Sequence, residues 1–173
     1  TIQGQVSWQG VNAFLRPQAR IIIPSPTPAQ DHRLWMESTH LRSDCGDTVW
    51  YGIDVNGTLA LSGTIKHGLV VRKNSIIEDA YNAVRSIDAG FFMLQFPMLQ
   101  DALLDNNYFH VNIRPFDGLN VAQPFETHPG IWDNAQMLCS RPILTIPAGP
   151  GWLNPTTAIN GRRTYACIRG TNN

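Results

Sequence analysis

Every β-patterned run in this 173-residue chain is short and ends at a turn former, with fourteen glycines and twelve prolines as punctuation. Arg20–Ile23 is β-branched and stops at Pro24-Ser25-Pro26-Thr27-Pro28. Prolines at every second position withhold ladder donors, so that stretch reads as an extended connector. Gln3–Trp8 alternates, with Val6 and Trp8 on one face, and Leu34–Met36 begins another strand. Ser43–Asp47 is turn chemistry. Phe91–Phe96 returns to strand. Tyr108–Phe116 sets Phe109, Val111 and Ile113 against His110, Asn112 and Arg114, the pattern of a half-buried strand. Ile143–Ile146 is a short apolar run, Pro147–Pro155 is loop, and Thr164–Arg169 is the last strand, after Asn160-Gly161.

Two segments add turn and helix signals. Thr48–Val55 and Thr58–Ile65 flank Asn56-Gly57, whose residues tolerate the positive φ of a type I′ turn. The pair predicts a β-hairpin, continued as a meander through the Lys66-His67-Gly68 turn into Leu69–Arg72. In Asn74–Gly90 the period changes. Ile76, Ala80, Ala83, Val84 and Ile87 recur at three-to-four spacing, Ser75 and Glu78 make an S-x-x-E capping box, and Gly90 supplies a stop. That predicts a helix over Ser75–Asp88. A second short helix is expected from Pro97 to Leu104, ended by Asn106-Asn107.

Eight to ten short strands with one or two short helices predict a mainly β fold: a sandwich, a jelly roll or an irregular barrel of antiparallel strands. No internal repeat and no βαβ alternation is visible, so residues 1–173 read as one globular domain. The chain opens on Thr1 without a methionine, which suggests maturation or excision from a longer chain.

Charge narrows the function. Thirteen basic and thirteen acidic residues cancel, and charged residues make up only 15%. Affinity for a phosphate backbone rests on clustered cations, so nucleic acid is not an expected partner. No apolar run approaches the roughly 20 residues that span a bilayer. There is no P-loop, G-x-S-x-G, H-E-x-x-H or EF-hand loop, and no cofactor or metal is expected. His32 and His40 across a strand make a conceivable metal pair, and Asp44, Asp47 and Asp54 lack calcium-loop spacing and read as turn residues. Cys45, Cys139 and Cys167 show no C-x-x-C spacing. They read as three buried thiols, or as one bridge and a free thiol, Cys139 and Cys167 being nearest in sequence.

Five tryptophans are many for this length. Trp8, Trp35 and Trp50 fall in or near strands and are expected in the core. Trp132, in His128–Asn134, and Trp152, in Gly149–Pro155, sit in glycine- and proline-rich loops. There a flat apolar ring beside hydrogen-bonding groups suits a sugar or partner anchor, the alternative being a ring that plugs its loop into the core. The candidate ligand-binding residues are therefore Trp132 with His128, Asp133 and Asn134, and Trp152 with Asn154. Asn56-Gly57-Thr58 also matches a glycosylation sequon, although the turn accounts for it.

The segment Trp50–Thr64, WYGIDVNGTLALSGT, resembles strand-turn-strand segments of phage tail-fibre and other virion receptor-binding proteins. The resemblance covers about fifteen residues and implies no catalytic set. It implies a non-enzymatic, exposed binding domain at a virion surface or outside the cell, oligomeric, recognising a host cell-surface glycan or protein. The alternatives are a structural capsid or pilus-like subunit that binds copies of itself, and a small glycan hydrolase with its site around His110, His128 and Asp133.

Overall fold

The computed structural model describes residues 1–24, 32–44, 46–56, 68–86, 98–113, 131–141, 144–147 and 163–166. The chain winds as a coil of three strands per turn. The first coil holds β1 (Gln5–Gln9), β2 (Asn12–Leu15) and β3 (Arg20–Ile23), and the second β4 (Arg33–Glu37), β5 (His40–Ser43) and β6 (Trp50–Val55). The third holds β7 (Leu69–Arg72), β8 (Ile76–Glu78) and β9 (Ala80–Ser86), and the fourth β10 (Met98–Gln100), β11 (Leu103–Asp105) and β12 (Phe109–Ile113). The fifth holds β13 (Ile131–Asp133), β14 (Gln136–Leu138) and β15 (Arg163–Ala166). Each strand pairs with its counterparts one coil away, giving sheets in the order β1-β4-β7-β10-β13, β2-β5-β8-β11-β14 and β3-β6-β9-β12-β15. The pairing is parallel within all three, except that β15 runs antiparallel to β12. This is a three-sided parallel β-solenoid, in which each strand pairs with the coils next to it, while the segment after β14 reaches back across coils, Thr145 bridging to Thr48 and Arg141 to Asp79.

Inward-facing residues stack in columns along the axis. Val6, Leu34 and Leu69 form one. A second holds Trp8, Met36, Val71 and Leu99, and a third Ala13, Leu41, Ile77, Leu104 and Met137. Ile21, Ile53, Val84 and Val111 form a fourth. The members in the second to fourth coils are almost wholly buried and make one continuous core. A smaller cluster lies around Val49, Tyr81 and Phe109, joined by Tyr108, Leu144 and Ile146.

Two corners shape each coil. At the corner between the first and second sheets a residue turns into the left-handed region: Gly10, Ser38, Lys73 with Asn74, Asp101 and Asn134. Glycine, Asn and Asp suit that conformation, and Ser38 and Lys73 adopt it without that preference. The corner backbones stack as well. Ser38 N donates to Lys73 O (3.2 Å), Asn74 N to Asp101 O (2.8 Å) and Asp101 N to Asp133 O (2.9 Å). The corner between the second and third sheets uses left-handed Asp79 and Asn106 in the third and fourth coils. There the buried Asn107 ties the coils together. Its Oδ1 accepts from Ala80 N (2.8 Å), and its Nδ2 donates to Ile77 O (2.9 Å).

The antiparallel sandwich, jelly roll or barrel is thereby overturned, and so are the helices. The mainly β content fits the sequence reading, and Gln3–Trp8, Arg20–Ile23, Leu34–Met36, Thr48–Val55, Leu69–Arg72, Tyr108–Phe116 and Thr164–Arg169 overlap observed strands. Eight strands, β2, β5, β8 to β11, β13 and β14, were not foreseen, the pairing direction is parallel, and Phe91–Phe96 lies outside the described residues. Both edges of β6 are occupied, by β3 and β9 in parallel, and Asn56 N continues that ladder to Ile23 O. No edge of β6 is left for a hairpin partner, and Gly57 to Ile65 lie outside the described residues. Within the expected helix over Ser75–Asp88, the described residues, up to Ser86, form β8 and β9, broken by left-handed Asp79. Gly52 faces Asn82 and Ile53 faces Val84, so Ala83 is an extra residue in the ladder. The corner and the bulge each reset the two-residue alternation, and together they imitate a helical period. Ser75 caps no helix: its Oγ donates to Arg72 O (2.8 Å) and accepts from Thr39 N (3.1 Å). The second expected helix is β10 and β11 around the Asp101 corner.

Candidate functional site

The corner between the first and second sheets is the most regular polar surface among the described residues. In the last two coils Gln100 and Asp133 are register partners at the ends of β10 and β13, and Gln100 Nε2 donates to Asp133 Oδ2 (3.0 Å). One residue further, Asn134 Nδ2 donates to Asp101 Oδ1 (2.8 Å). Asp101, Asp133 and Asn134 are exposed. Asn74 holds the equivalent corner position one coil earlier.

Beside this polar column runs a second one, on the outer face of the second sheet. Ile76, Leu103 and Gln136 are register partners along it. The two columns bound a shallow depression of about 200 Å³, lined by Asn74, Ile76, Asp101, Leu103, Asn134 and Gln136. Ala102 completes the lining, so its chemistry is three amides, one carboxylate and three aliphatic side chains. The corner column presents one polar side chain per coil, Asn74, Asp101 and Asn134, at the strand spacing of about 4.8 Å, and the second column runs Ile76, Leu103 and then Gln136. Amides offer both donors and acceptors, and the aliphatic column offers an apolar strip, so the groove suits an extended ligand with hydroxyls on one side and C–H surface on the other.

The outer face of the first sheet carries a charged group just before the same corner. Glu37 accepts from Arg72 Nε (2.6 Å) and Trp35 Nε1 (3.0 Å) on Oε1, and from Lys73 Nζ (2.6 Å) on Oε2. Those donors, Lys73 foremost and then Arg72, hold its carboxyl down at about 2. The Arg72 guanidinium lies 4.7 Å from the centre of the Trp35 ring, covering it.

At the other corner, Arg141 Nη2 donates to Asp79 Oδ2 (2.6 Å), while Asp105 accepts from Ser140 N (3.0 Å) and Ser140 Oγ (2.6 Å). Burial raises the Asp79 carboxyl above its usual range, against the pull of Arg141. His40 Nε2 stands 2.9 Å from Glu78 Oε1. These contacts pin residues 140–141 to the third and fourth coils and close the carboxylates against cations and hydroxyls.

Of the sequence-derived candidates, Asp133 and Asn134 are brought together with Gln100 and Asp101. Trp132 lies in β13 and not in a loop. His128, Trp152 and Asn154 lie outside the described residues. His110 is buried in β12, where desolvation lowers its pKa to about 4, and Asp133 is exposed on a different sheet. His32 Nδ1 accepts from Gly4 N (3.0 Å), and Asp54 is clasped by Arg20 and Arg85 with no other carboxylate in the group. Trp50 is in the core, Trp8 packs at its end, and Trp35 is half-buried on the outside. Cys139 is disulfide-bonded, which removes the reading of three free thiols. Sequence reasoning missed Asn74, Gln100, Asp101 and Gln136. The available signal was a Gly, Ser, Asn or Asp just beyond each short apolar run.

No family model matches the chain, and comparison with curated proteins and with solved structures returns no match.

Proposed function

We propose that this chain is an exposed, non-enzymatic binding domain of a virus or phage particle, and that it recognises a host-surface glycan along the groove between the Asn74–Asp101–Asn134 and Ile76–Leu103–Gln136 columns. The observation that carries this reading is the periodicity of the groove. Amide and carboxylate groups repeat at one spacing along a rigid axis, and a polymer with its own repeat meets them without induced fit. The preordered hydrogen bonds from Gln100 to Asp133 and from Asn134 to Asp101 lower the entropy of fixing those side chains on binding. The Cys139 disulfide fits an oxidising, extracellular setting.

The test is a glycan array followed by titration of any hit against Asp101→Gly and Asn134→Gly. Glycine removes each side chain while keeping the left-handed backbone at φ 47° and 51°. The expected result is at least a tenfold loss of affinity with an unchanged melting curve. Retention of full affinity in both variants overturns the groove as the site.

A further inference from the structure

We infer that the glycan bound along the groove is an uncharged one, and that Asp101 and Asp133 exclude its acidic counterparts, a specificity that presupposes the groove as the binding site. The two carboxylates are exposed on neighbouring coils at the corner between the first and second sheets. Asp101 lines the depression, and Asp133 stands one residue before Asn134, which also lines it. Each carboxylate is held by a neutral donor. Asn134 Nδ2 donates to Asp101 Oδ1 (2.8 Å), and Gln100 Nε2 donates to Asp133 Oδ2 (3.0 Å). An amide orients a carboxylate without cancelling its charge, and it leaves the second oxygen for a ligand hydroxyl.

Among the described residues, the cations of the two sheets that meet here are committed elsewhere. Arg72 and Lys73 immediately precede Asn74, but both turn to the second coil. There Glu37 accepts from Arg72 Nε (2.6 Å) on one oxygen and from Lys73 Nζ (2.6 Å) on the other. With its carboxyl held down at about 2, Glu37 keeps both cations across the neutral range. Arg33 lies at the opposite end of β4. His40, the register partner of Ile76, has its Nε2 2.9 Å from Glu78 Oε1. Arg42, two residues further along β5, lays its guanidinium over Phe14 in the first coil, 4.2 Å from the ring centre and away from the groove. Arg141 is engaged by Asp79 at the other corner. The depression is thus lined by one carboxylate and no cation.

Hydroxyls suit such a surface: they donate to the open carboxylate oxygens and exchange hydrogen bonds with the amides of Asn74, Asn134 and Gln136. A carboxylate or sulfate on the ligand meets a like charge with no cation to offset it. A polymer with an acid group on every repeat cannot lie along the groove without bringing one of them close to Asp101 or Asp133. Rejecting a ligand through an unpaired like charge is one of the two routes to specificity.

The experiment uses an array of matched pairs: neutral oligosaccharides, and the same backbones carrying sialic acid, uronic acid or sulfate. Each pair with a binding member is then titrated at low and high salt against the wild type, Asp101→Asn and Asp133→Asn. Asparagine keeps the size of aspartate and suits the left-handed φ of 47° at Asp101, so the change is one of charge. The readout is the ratio of the affinities for the neutral and the acidic member, which a damaged fold does not move because both fall together. The expected result is a preference of about tenfold or more for the neutral member in the wild type, narrowed about threefold by each variant and narrowed again by salt, which screens exposed charges. An acidic member that binds the wild type as well as its neutral counterpart overturns the inference and leaves the groove standing. So does a preference that both variants and salt leave untouched. An array on which nothing binds, or binding indifferent to Asp101→Gly and Asn134→Gly, overturns the groove itself and this specificity with it.

Discussion

Asn107 ties the third coil to the fourth, and removing its side chain should cost far more than its size suggests. It is fully buried, as are Ile77 and Ala80, the residues it bridges. Asn107→Ala deletes the acceptor for Ala80 N (2.8 Å) and the donor to Ile77 O (2.9 Å). The orphaned N–H costs about 1–3 kcal/mol. The carbonyl costs less, because it keeps a second lone pair for other donors. The small void left behind adds to the loss. The sum is about 2–4 kcal/mol, a large share of the roughly 5–15 kcal/mol that holds a typical domain folded.

Urea titration monitored by tryptophan fluorescence measures it. Asn107→Asp sharpens the argument. Its carboxylate still accepts from Ala80 N but loses the donor to Ile77 O and sets a buried charge beside that carbonyl and beside His110 Nδ1, 3.4 Å from the wild-type Nδ2, so at neutral pH it should be at least as damaging as alanine. Protonation restores an O–H donor, and the gap to wild type should narrow as pH falls. A loss below about 1 kcal/mol for Asn107→Ala would refute the claim that this side chain carries the corner.

Gly52→Ala should cost about 3–5 kcal/mol or prevent folding, read from the same titration. Its φ is +117° and an added Cβ would stand 1.6 Å from Asn82 O, so backbone strain and overpacking combine. His110 is held neutral, with its pKa lowered to about 4, so the unfolded chain takes up a proton first as pH falls. Stability should drop between about pH 6.5 and 4, by an order of 2–3 kcal/mol, and His110→Asn should lose that slope in melts at pH 7 and 4.5. Glu37, held at about 2, contributes stability that is present above the ordinary carboxylate range and lost as pH falls through 2. Glu37→Gln should lower the neutral-pH melting temperature and flatten the acid limb below pH 4.

Some of the strands were legible because β-branched and apolar runs are local. Arg20–Ile23 is β3 residue for residue, and Leu34–Met36 and Leu69–Arg72 fall within β4 and on β7. Their partners were not legible, because each sits a whole coil away. Gln5 faces Arg33, but Leu34 faces Leu69, so the coils differ in length and no fixed period survives in the sequence. Asn56-Gly57 gave a strong local signal for a hairpin, and the parallel ladders on both edges of β6 outweigh it. The site divides in the same way. Asp133 and Asn134 could be singled out as turn residues with polar side chains. Gln100 and Asp101 were hidden inside a run that reads as helical until the left-handed φ of Asp101 is known.

That unequal coil length has a consequence for where binding can be built. The chain crosses from the first to the second sheet in a few residues in every coil, and left-handed corners keep those backbones in register. It crosses from the third sheet to the next coil over much longer and unequal stretches: Ile23 to Arg33, Val55 to Leu69, Ser86 to Met98, Ile113 to Ile131. Since stacking depends on neighbouring coils alone, length can change at the second kind of crossing without disturbing the ladders. Chemistry that needs fixed spacing belongs at the first kind. Asp101 with Asn134, which line the proposed groove, and Gln100 with Asp133 just before them are both there. Inserting two glycines between Val55 and Leu69 should therefore leave glycan affinity within about twofold, whereas inserting one residue between Asp101 and Ala102 should abolish it, because the insertion throws Leu103 and Leu104 out of their columns.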